Sequence, residues 1–470
     1  MSTKPPSGTR DFLPAEIKRR EYVMGVVREV YERYGFEPLE TPAFENIETL
    51  LGKYGEEGNK LIFKILRRGE HESSGAADLA LRYDLTVPLA RVVAQYQSEL
   101  PKFFKRYQIQ PVWRADRPAK GRFREFYQCD IDAIGTASIL VEAELIGAVS
   151  EVLTRLGFAD FRVRLNHRKL LSAILGSIPI EMHESALVAI DKWDKIGPTG
   201  VEQELIARGI APPDAGMLVG LFSVSGQDEP SPAPAASTAD ETNRSWLERL
   251  NIQFPDSTPA SGELAQILSL IEGTAGAGHV YIDPSLARGL SYYTGAIMEI
   301  TVPDLAGSLG GGGRYDNLIG MFLGRDIPAC GFSLGLERII FVMNERHMFP
   351  DQVARSAVDV MVTLWAGAAS TPAEAASGAT EARKDALALA SQLRRAGLRV
   401  DVYPEADKLG KQFKYASSRK VPFVAIVGDD ERASGTVSIK NLLTGAQDTL
   451  PREAVAGHIS SQRPQTPEDS

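Results

Sequence analysis

The chain has 470 residues, 43% hydrophobic and 24% charged, a composition ordinary for a globular protein of about two to four domains. Its net charge of −9 argues against a simple basic nucleic-acid binder, and no apolar run approaches the ~20 residues that span a bilayer. The only cysteines, Cys129 and Cys330, lie far apart, which excludes a disulfide framework and a Cys-based zinc ribbon and predicts a reducing, cytoplasmic location.

The first third of the chain alternates between helical and extended patterns. Apolar residues recur at helical spacing up to Gly35, a residue type that commonly ends helices. Two extended runs flank a polar loop with Pro118 and Gly121, which predicts a long antiparallel hairpin. The predicted elements are a helix over 15–34, an extended segment over 36–44, a helix after Asp84, strands over 103–114 and 122–134, and a helix over 140–156.

The middle of the chain, residues 166–275, has mainly helical patterns. Within it, residues 227–240 are rich in Pro, Ala and Ser, which predicts a disordered surface loop. Strand patterns resume over 279–283 and 292–301. A glycine-rich stretch then precedes a predicted helix over 336–347.

The C-terminal part alternates between strand and helix patterns, which is typical of a small α/β domain with a largely parallel sheet. An Ala-, Ser- and Gly-rich stretch over 366–380 is typical of a flexible connection, and the polar residues 461–470 predict a disordered tail. The predicted elements are strands over 358–364, 399–403 and 423–427 and helices over 381–396 and 408–420.

Nucleotide binding, if present, does not use the common glycine-rich loops. The chain has no Walker A loop, and the glycines at 310–313 do not fit a dinucleotide fingerprint. The strongest basic stretch, residues 102–124, holds eight Lys or Arg side chains, interleaved aromatics and a single acid, Asp116. Arginines on antiparallel strands can bind phosphate oxygens bidentately and stack on aromatic planes, so this stretch could serve a nucleotide instead.

Three segments, in order, resemble the three motifs of class II aminoacyl-tRNA synthetases. Each alone is a weak signal, whereas their order and spacing together are much more specific. They are residues 35–42 after an amphipathic helix for motif 1, Arg114-Ala115-Asp116 with Arg122-Phe123-Arg124-Glu125-Phe126 for motif 2, and Gly331-Phe332-Ser333-Leu334-Gly335-Leu336-Glu337-Arg338 for motif 3.

Further segments resemble the histidyl-tRNA synthetase family. Residues 286–295, which contain R-G-L-S-Y-Y, and residues 312–316 resemble its two signatures. Residues 81–86 and 126–130 match in the style of the family's eukaryote-like branch. The resemblance covers almost the whole chain, from residues 8–11 to the C-terminal α/β domain, which looks like the anticodon-binding module of class IIa synthetases.

This resemblance implies an α+β enzyme built on the class II antiparallel sheet flanked by helices. It also implies a homodimer that activates L-histidine with ATP and Mg²⁺ and transfers it to tRNA(His), without a membrane partner or a tightly bound protein metal. The implied domains are a catalytic domain in two parts, 1–165 and 276–350, a mainly helical insertion over 166–275, an anticodon-binding α/β domain over 356–460 and a tail over 461–470.

The resemblance also implies roles for individual residues. Arg114 and Arg288 would be catalytic, holding the ATP α-phosphate and stabilising the charge that develops there. Ser291 stands where the family usually has Asp, beside the tyrosine pair. The implied histidine contacts are Asp84, Leu85, Thr86, Arg114, Gln128, Asp132, Arg288, Tyr292 and Tyr293, and the implied ATP contacts are Arg114, Asp116, Arg122, Phe126 and Arg338.

Simpler explanations exist for several of these features. An N-cap explains Asp84, a turn explains the glycines at 310–313, core packing explains Tyr292 and Tyr293, and a solvated helix face explains the lysines at 408–414. With the resemblance, we keep the simpler explanation only for the lysines.

Two rival functions remain. One is a histidine-sensing regulatory subunit of ATP phosphoribosyltransferase, a class that typically lacks the ATP-site arginines found here. The other is a class IIa synthetase for a different amino acid, which is not expected to carry R-G-L-x-Y-Y.

Overall fold

An eight-stranded sheet in the N-terminal part of the chain carries the residues of interest. The computed structural model describes residues 3–67, 75–176, 182–223, 236–287, 292–354, 356–365 and 372–462. Contacts divide the chain into two units, Met1–Phe349 and Pro350–Ser470. Each unit buries its own clusters of apolar side chains.

The first unit contains a large sheet and a small one. Its strands are β1 (Glu37–Pro38), β2 (Phe44–Asn46), β3 (Lys64–Leu66), β4 (Ala77–Leu81), β5 (Phe104–Trp113), β6 (Glu125–Ile134), β7 (Arg162–His167), β8 (Val280–Ile282), β9 (Ala296–Thr301), β10 (Gly310–Arg314) and β11 (Ala329–Gly335). The large sheet has the order β1-β5-β6-β11-β10-β9-β7-β8, and the small sheet has the order β2-β4-β3. The outer pairs β1–β5 and β7–β8 are parallel, and every other pair in the large sheet is antiparallel.

Helices precede, separate and follow the strands of the first unit along the chain. They are α1 (Pro14–Arg33), α2 (Ile47–Leu50), α3 (Gly55–Lys60), α4 (Thr86–Gln95), α5 (Leu140–Arg155), α6 (Arg168–Gly176), α7 (His183–Ile190), α8 (Trp193–Ala207), α9 (Pro212–Ser223), α10 (Ala236–Gln253), α11 (Thr258–Ile271), α12 (Gly320–Leu323) and α13 (Leu336–Glu345). Because α6 to α11 all lie between β7 and β8, the described part of the segment predicted to be mainly helical does consist mainly of helices.

Helix α1 packs its apolar stripe against the β5–β6 hairpin. Val23, Val27 and Val30 recur every three or four residues and are fully buried. The Tyr31 hydroxyl donates to the Cys129 carbonyl at 3.2 Å, which ties the helix to β6. The helix predicted over 15–34 is therefore confirmed.

The predicted antiparallel hairpin is also confirmed. Strands β5 and β6 pair in unbroken register, from Phe104 opposite Ile134 to Trp113 opposite Glu125. Since side chains alternate between the faces of a strand, every second residue of β6 shares a face with every second residue of β5.

Two predictions about the first unit were wrong in detail. Residues 236–240, predicted to be disordered, begin α10, whose later residues pack on the core, while 227–235 lie outside the described residues. The strand predicted over 292–301 begins only at Ala296, because Tyr292 and Tyr293 are buried in the turn before it. The simpler explanation of the glycines at 310–313 as a turn, which the resemblance had already displaced, is excluded because they form strand β10 between β9 and β11.

The second unit has a five-stranded mixed sheet. Its strands are β12 (Val360–Val362), β13 (Val400–Val402), β14 (Phe423–Ile426), β15 (Thr436–Asn441) and β16 (Gln447–Pro451), and its helices are α14 (Pro372–Arg395), α15 (Leu409–Ser418), α16 (Asp429–Ser434) and α17 (Val455–Gln462). The order is β13-β12-β14-β15-β16. The first three strands are parallel as predicted, whereas β15 and β16 add an antiparallel pair that was not predicted.

Two linker predictions in the second unit were wrong in part. Residues 372–380 begin α14, because alanine-rich segments favour helix, and 366–371 lie outside the described residues. Residues 461–462, predicted to belong to the disordered tail, are the last residues of α17, and the described residues end at 462. The exposed lysines of the α15 region agree with a solvated face, and Lys411 pairs with Asp407 at 2.8 Å.

Candidate active site

Polar side chains form a row on one face of β6. Phe126, Gln128, Asp130 and Asp132 alternate along the strand and share that face. Arg106 of β5 lies directly opposite Asp132. Buried carboxylates and amides in the middle of a sheet require partners, so this row is a candidate ligand site.

Arg106 is the buried positive charge of this row. Its Nη2 atom lies 2.7 Å from Oδ2 of Asp132 and 3.9 Å from Oδ2 of Asp130. Tyr315 donates its hydroxyl hydrogen to Oδ1 of Asp132. Burial raises the pKa of Asp132 and raises the pKa of Asp130 to about 7, and in both cases the Arg106 charge opposes the rise. One cation thus faces two carboxylates, a balance that favours a cationic ligand group.

Four atoms of the row are buried without a hydrogen-bond partner: Nε of Arg106, Oε1 of Gln128, Oδ1 of Asp130 and Oδ2 of Asp132. The last of these is close to Arg106 as an ion pair, but the angle does not make a hydrogen bond. Because buried polar groups are nearly always paired, four orphaned atoms on one sheet face indicate that a polar ligand completes them.

Two glycines permit this crowding. A Cβ atom on Gly331 would lie 1.9 Å from Oδ1 of Asp132. A Cβ atom on Gly313 would lie 2.5 Å from the Ala296 carbonyl and 3.0 Å from the Tyr293 ring. The glycine-rich strand and the first residues of the motif 3 segment therefore leave the space that the pocket groups occupy.

Asp84 lies beside this row, at the start of α4. Its Oδ1 accepts hydrogen bonds from the Tyr54 hydroxyl at 2.9 Å and from the Val87 amide at 3.1 Å. Asp84 therefore accepts a hydrogen bond from the first turn of α4, although the N-cap position itself is Leu85. Burial raises the pKa of Asp84, and the Val87 amide and the Arg114 charge oppose the rise.

Arg114 and three tyrosines lie beside the same row. The guanidinium carbon of Arg114 lies 4.3 Å from the Tyr83 ring centre, and its Nε donates to the Tyr83 carbonyl at 3.1 Å. Tyr292 packs edge-on against Tyr293 at 5.1 Å and Tyr315 at 6.0 Å. Burial raises the pKa of Tyr292, with further contributions from its neighbour Tyr293 and from Asp84. The structure therefore brings Asp84, Arg114, Gln128, Asp132, Tyr292 and Tyr293 together.

Two predicted contacts at the start of α4 differ from one another. The Leu85 side chain is fully buried in the protein, and its carbonyl accepts a hydrogen bond from Arg106 at 3.3 Å. Leu85 can therefore reach a ligand only through its backbone. Thr86 is half-buried on the first turn of the helix.

The hairpin tip forms the second half of the site. Asp116 accepts a hydrogen bond from Nη2 of Arg122 at 2.8 Å, and 51% of the Arg122 side chain is exposed. The Phe126 ring centre lies 5.2 Å from the guanidinium carbon of Arg114. Arginines that are exposed beside an aromatic plane can reach phosphates and a base.

Glu337 fixes the start of α13, where Arg338 lies. The Glu337 carboxylate accepts hydrogen bonds from Arg20 of α1 and from the Tyr127 amide of β6, both at 2.8 Å. Arg338 itself donates to the Ser308 carbonyl at 2.5 Å. The ion pair between Arg20 and Glu337 was not anticipated, because the two residues lie far apart in sequence.

The N-terminal segment packs on the hairpin tip, which the sequence did not suggest. The Gly8 carbonyl accepts from the Arg124 amide at 2.7 Å, and the Arg10 guanidinium lies 3.9 Å from the Phe123 ring centre. Gly8 has φ +85°, and a Cβ there would lie 2.7 Å from Cγ of Arg124. Only glycine fits this close approach.

Arg288 and Ser291 lie outside the described residues, so only the segment that precedes them can be placed. Asn166 donates to the carbonyls of Pro284 and Leu286 at 3.1 and 3.0 Å, and Arg164 pairs with Asp283 at 2.5 Å. These buried contacts of β7 fix the chain immediately before Arg288.

The described residues contain neither a metal-ligating cluster nor a membrane-spanning helix. No group of three or more His, Cys, Asp or Glu side chains in them could hold a metal ion. Within the same ranges, no helix has the length and apolar character that crossing a membrane requires.

Comparisons with known proteins match this geometry. The family model described as histidyl-tRNA synthetase matches residues 8–339, and the model described as anticodon binding domain matches 369–462. The chain is 42% identical to a histidine–tRNA ligase of Porphyromonas gingivalis (96% of this chain, 97% of that one) and 39% identical to one of Flavobacterium johnsoniae (97% and 99%). A solved histidyl-tRNA synthetase structure from Nostoc sp. PCC 7120 superposes with a TM-score of 0.77 at 31% identity, covering 98% of this chain and all of that one.

Proposed function

The chain belongs to the histidyl-tRNA synthetase family, and from this premise we propose that it is a histidine–tRNA ligase. It activates L-histidine with ATP to histidyl-adenylate and pyrophosphate. It then transfers histidine to the terminal adenosine of tRNA(His). The matched class II fold and anticodon-binding module support both steps.

Histidine occupies the buried row. Its ammonium group binds Asp84, Thr86 and Gln128. The cation suits the acceptor oxygens of Asp84 and Gln128, which the protein already holds in place. Its imidazole binds Asp132. A site that hydrogen-bonds a polar side chain strongly rejects analogues that lack it, so this pocket can select histidine without an editing step.

The tyrosines and the α4 turn enclose the ligand. Tyr292 and Tyr293 close the imidazole pocket, with Tyr315 holding Asp132 from the other side. Leu85 contributes its backbone and the apolar wall behind it. Exclusion of water from this pocket strengthens each charge contact within it.

ATP lies on the side of the hairpin tip. Arg114 grips the α-phosphate and the histidine carboxylate, and Arg288 faces the same phosphate. As the carboxylate oxygen attacks the α-phosphorus and pyrophosphate leaves, these arginines stabilise the developing charge without a covalent enzyme intermediate.

The adenine and the outer phosphates bind further along the tip. Phe126 and Arg338 enclose the adenine, and Arg122 contacts the outer phosphates. Asp116 orients Arg122 through their ion pair. Mg²⁺ enters as part of the ATP substrate and neutralises phosphate charge.

The remaining regions serve the tRNA and assembly. The helical insertion clamps the acceptor arm, and the second unit reads the anticodon. Residues 35–42 form a homodimer contact, and the enzyme works in the cytoplasm.

The observation that carries this proposal is the set of orphaned polar atoms on β5 and β6, beside a buried arginine and an excess of carboxylates. A zwitterionic amino acid with a polar, protonatable side chain satisfies such a set. An apolar amino acid still pairs its ammonium group, but it leaves the Asp132 carboxylate that faces the side chain unpaired, at a cost of about 1–3 kcal/mol.

The test is ATP–pyrophosphate exchange with each of the twenty amino acids, without tRNA. We expect exchange with histidine alone, loss of exchange in Arg114→Ala, and retention in Arg117→Ala, an exposed arginine of the same tip. Exchange with another amino acid would overturn the pocket assignment. Histidine binding without any exchange would instead favour a regulatory, histidine-sensing function.

A further inference from the structure

Three side chains meet where β6 pairs with β11. Ser333 lies directly opposite Asp130, and the next residue of the β6 row is Gln128. Nε2 of Gln128 donates to Oγ of Ser333 at 2.7 Å. The Ser333 hydroxyl also acts on the Asp130 carboxyl opposite it, where it opposes the rise in the pKa. Ser333 therefore lies between an amide and a carboxylate.

The direction of these hydrogen bonds follows from donor chemistry. The Gln128 amide nitrogen can only donate, so the Ser333 oxygen accepts from it. The single hydrogen of the Ser333 hydroxyl is then left for the Asp130 carboxyl opposite, which can accept it whenever that carboxyl is ionised. The Gln128 carbonyl oxygen must therefore point away from Ser333. That oxygen is the buried, unpartnered Oε1 atom.

We propose that Ser333, with Asp130 opposite it, is a positioning residue that fixes the amide of Gln128 with its oxygen toward the amino acid. This inference rests on the proposed function, because the ligand it serves is histidine. Gln128 then presents an acceptor to the ammonium group of the substrate. Without the relay the amide is free to turn, and its NH₂ group would face that cation.

The surroundings of Asp130 support a role of this kind. The charged groups that act on it are Arg106 of β5, Asp132 of its own strand and Asp84 before α4. Arg106 is engaged mainly with Asp132, at 2.7 Å against 3.9 Å for Asp130. The charge of Arg106 therefore compensates Asp130 less than it compensates Asp132. Ser333 lies between the Asp130 carboxyl and the substrate-binding residue Gln128.

The relay can be tested with Ser333→Ala in ATP–pyrophosphate exchange. We expect the KM for histidine to rise by roughly 5- to 100-fold, the range for one misdirected buried hydrogen bond, while the KM for ATP changes less than about 2-fold. Ser333→Thr retains the hydroxyl and should restore the histidine KM. The control is Ser438→Ala, since Ser438 is a buried strand serine of the second unit whose hydroxyl bonds to Glu431 and Thr449.

A second readout separates positioning from damage to the fold. 3-(Imidazol-4-yl)propionate is histidine without its ammonium group. Ser333→Ala should weaken binding of histidine and leave inhibition by this analogue unchanged, whereas a distorted pocket weakens both. In a Gln128→Ala background, Ser333→Ala should have no further effect on the histidine KM.

Three results would overturn the relay: an unchanged histidine KM in Ser333→Ala, equal weakening of the deamino analogue, or additive effects of the two substitutions. Failure of the proposed function would look different, because the unaltered chain would then show no exchange with histidine at all.

Discussion

The two halves of the candidate site handle charge in opposite ways. In the β5–β6 row, Arg106 and Asp132 are completely buried and 2.7 Å apart. At the hairpin tip, Arg122 pairs with Asp116 at 2.8 Å, yet half of its side chain is in solvent. Similar ion-pair distances thus occur in very different dielectric surroundings.

This difference in burial suits the two parts of the site to different tasks, namely the choice of the amino acid and the binding of ATP. Buried charges are expensive to desolvate, so a wrong ligand that leaves them unpaired is strongly rejected. Hydrated arginines cost little to keep charged and can follow phosphates as they move and leave. We infer that the row decides which amino acid is accepted and the tip decides how ATP is held.

The largest expected effect comes from removing the buried cation. Arg106→Met leaves two buried carboxylates without their partner and should lower the free energy of unfolding by about 3–5 kcal/mol. Arg122→Met, its exposed counterpart, should change it by less than about 0.5 kcal/mol. Urea unfolding followed by tryptophan fluorescence measures both. Equal stabilities of the two variants would remove the contrast on which the comparison depends.

The next largest effect concerns substrate choice. Asp132→Asn removes the carboxylate that Tyr315 and Arg106 hold, so the KM for histidine should rise roughly 10- to 150-fold while that for ATP stays within about 2-fold. Asp116→Asn is the corresponding variant at the hairpin tip, and it should raise mainly the KM for ATP. Steady-state exchange kinetics at varied histidine and ATP measure both constants. A shared loss of affinity for both substrates in Asp132→Asn would argue against separate halves.

A smaller effect is expected at the tip. Arg122→Ala should raise the KM for ATP roughly 10-fold, because one charged hydrogen bond to phosphate is lost in a hydrated setting. Lys120→Ala removes a surface pair with Glu345 and should leave both KM values unchanged. The same exchange assay applies, and a histidine defect in Arg122→Ala would contradict the division.

The smallest expected effect is a pH dependence of stability. The folded pKa of Asp130 is raised to about 7, above its unfolded value, so the carboxyl stabilises the fold at low pH and loses this contribution as pH rises toward 7. Asp130→Asn should therefore gain stability relative to the unaltered chain as pH rises from about 4 to about 7. Urea midpoints across that range measure the difference. A difference that does not vary with pH would mean that Asp130 is not protonated preferentially in the fold.

Local patterns predicted the elements better than the contacts between them. Helix α1 and the β5–β6 hairpin follow from periodicity, since one face of each is buried. The start of α14 was missed because small residues suit both helices and linkers. Strand β16 was missed because it is short and largely exposed, and β15 was missed because its buried Val437 and Ile439 give only a brief apolar alternation. Assignment to the eukaryote-like branch stays a prediction.

The pocket itself could be predicted only in part. The motifs drew attention to Asp84, Arg114 and Asp132, but Arg106 looked like one of many basic residues. Its pairing with Asp132 depends on the register of two strands, which sequence spacing alone does not give. Tyr54 and Ser333 were missed for the same reason, since their partners Asp84 and Gln128 are distant in sequence.

The most direct test of the central claim is a crystal structure of the chain with histidine bound in the absence of ATP. We expect the imidazole to lie against Asp132 and the ammonium group near Asp84 and Oε1 of Gln128, with Arg122 still paired to Asp116. Histidine bound at the hairpin tip, or an imidazole that makes no contact with Asp132, would contradict it.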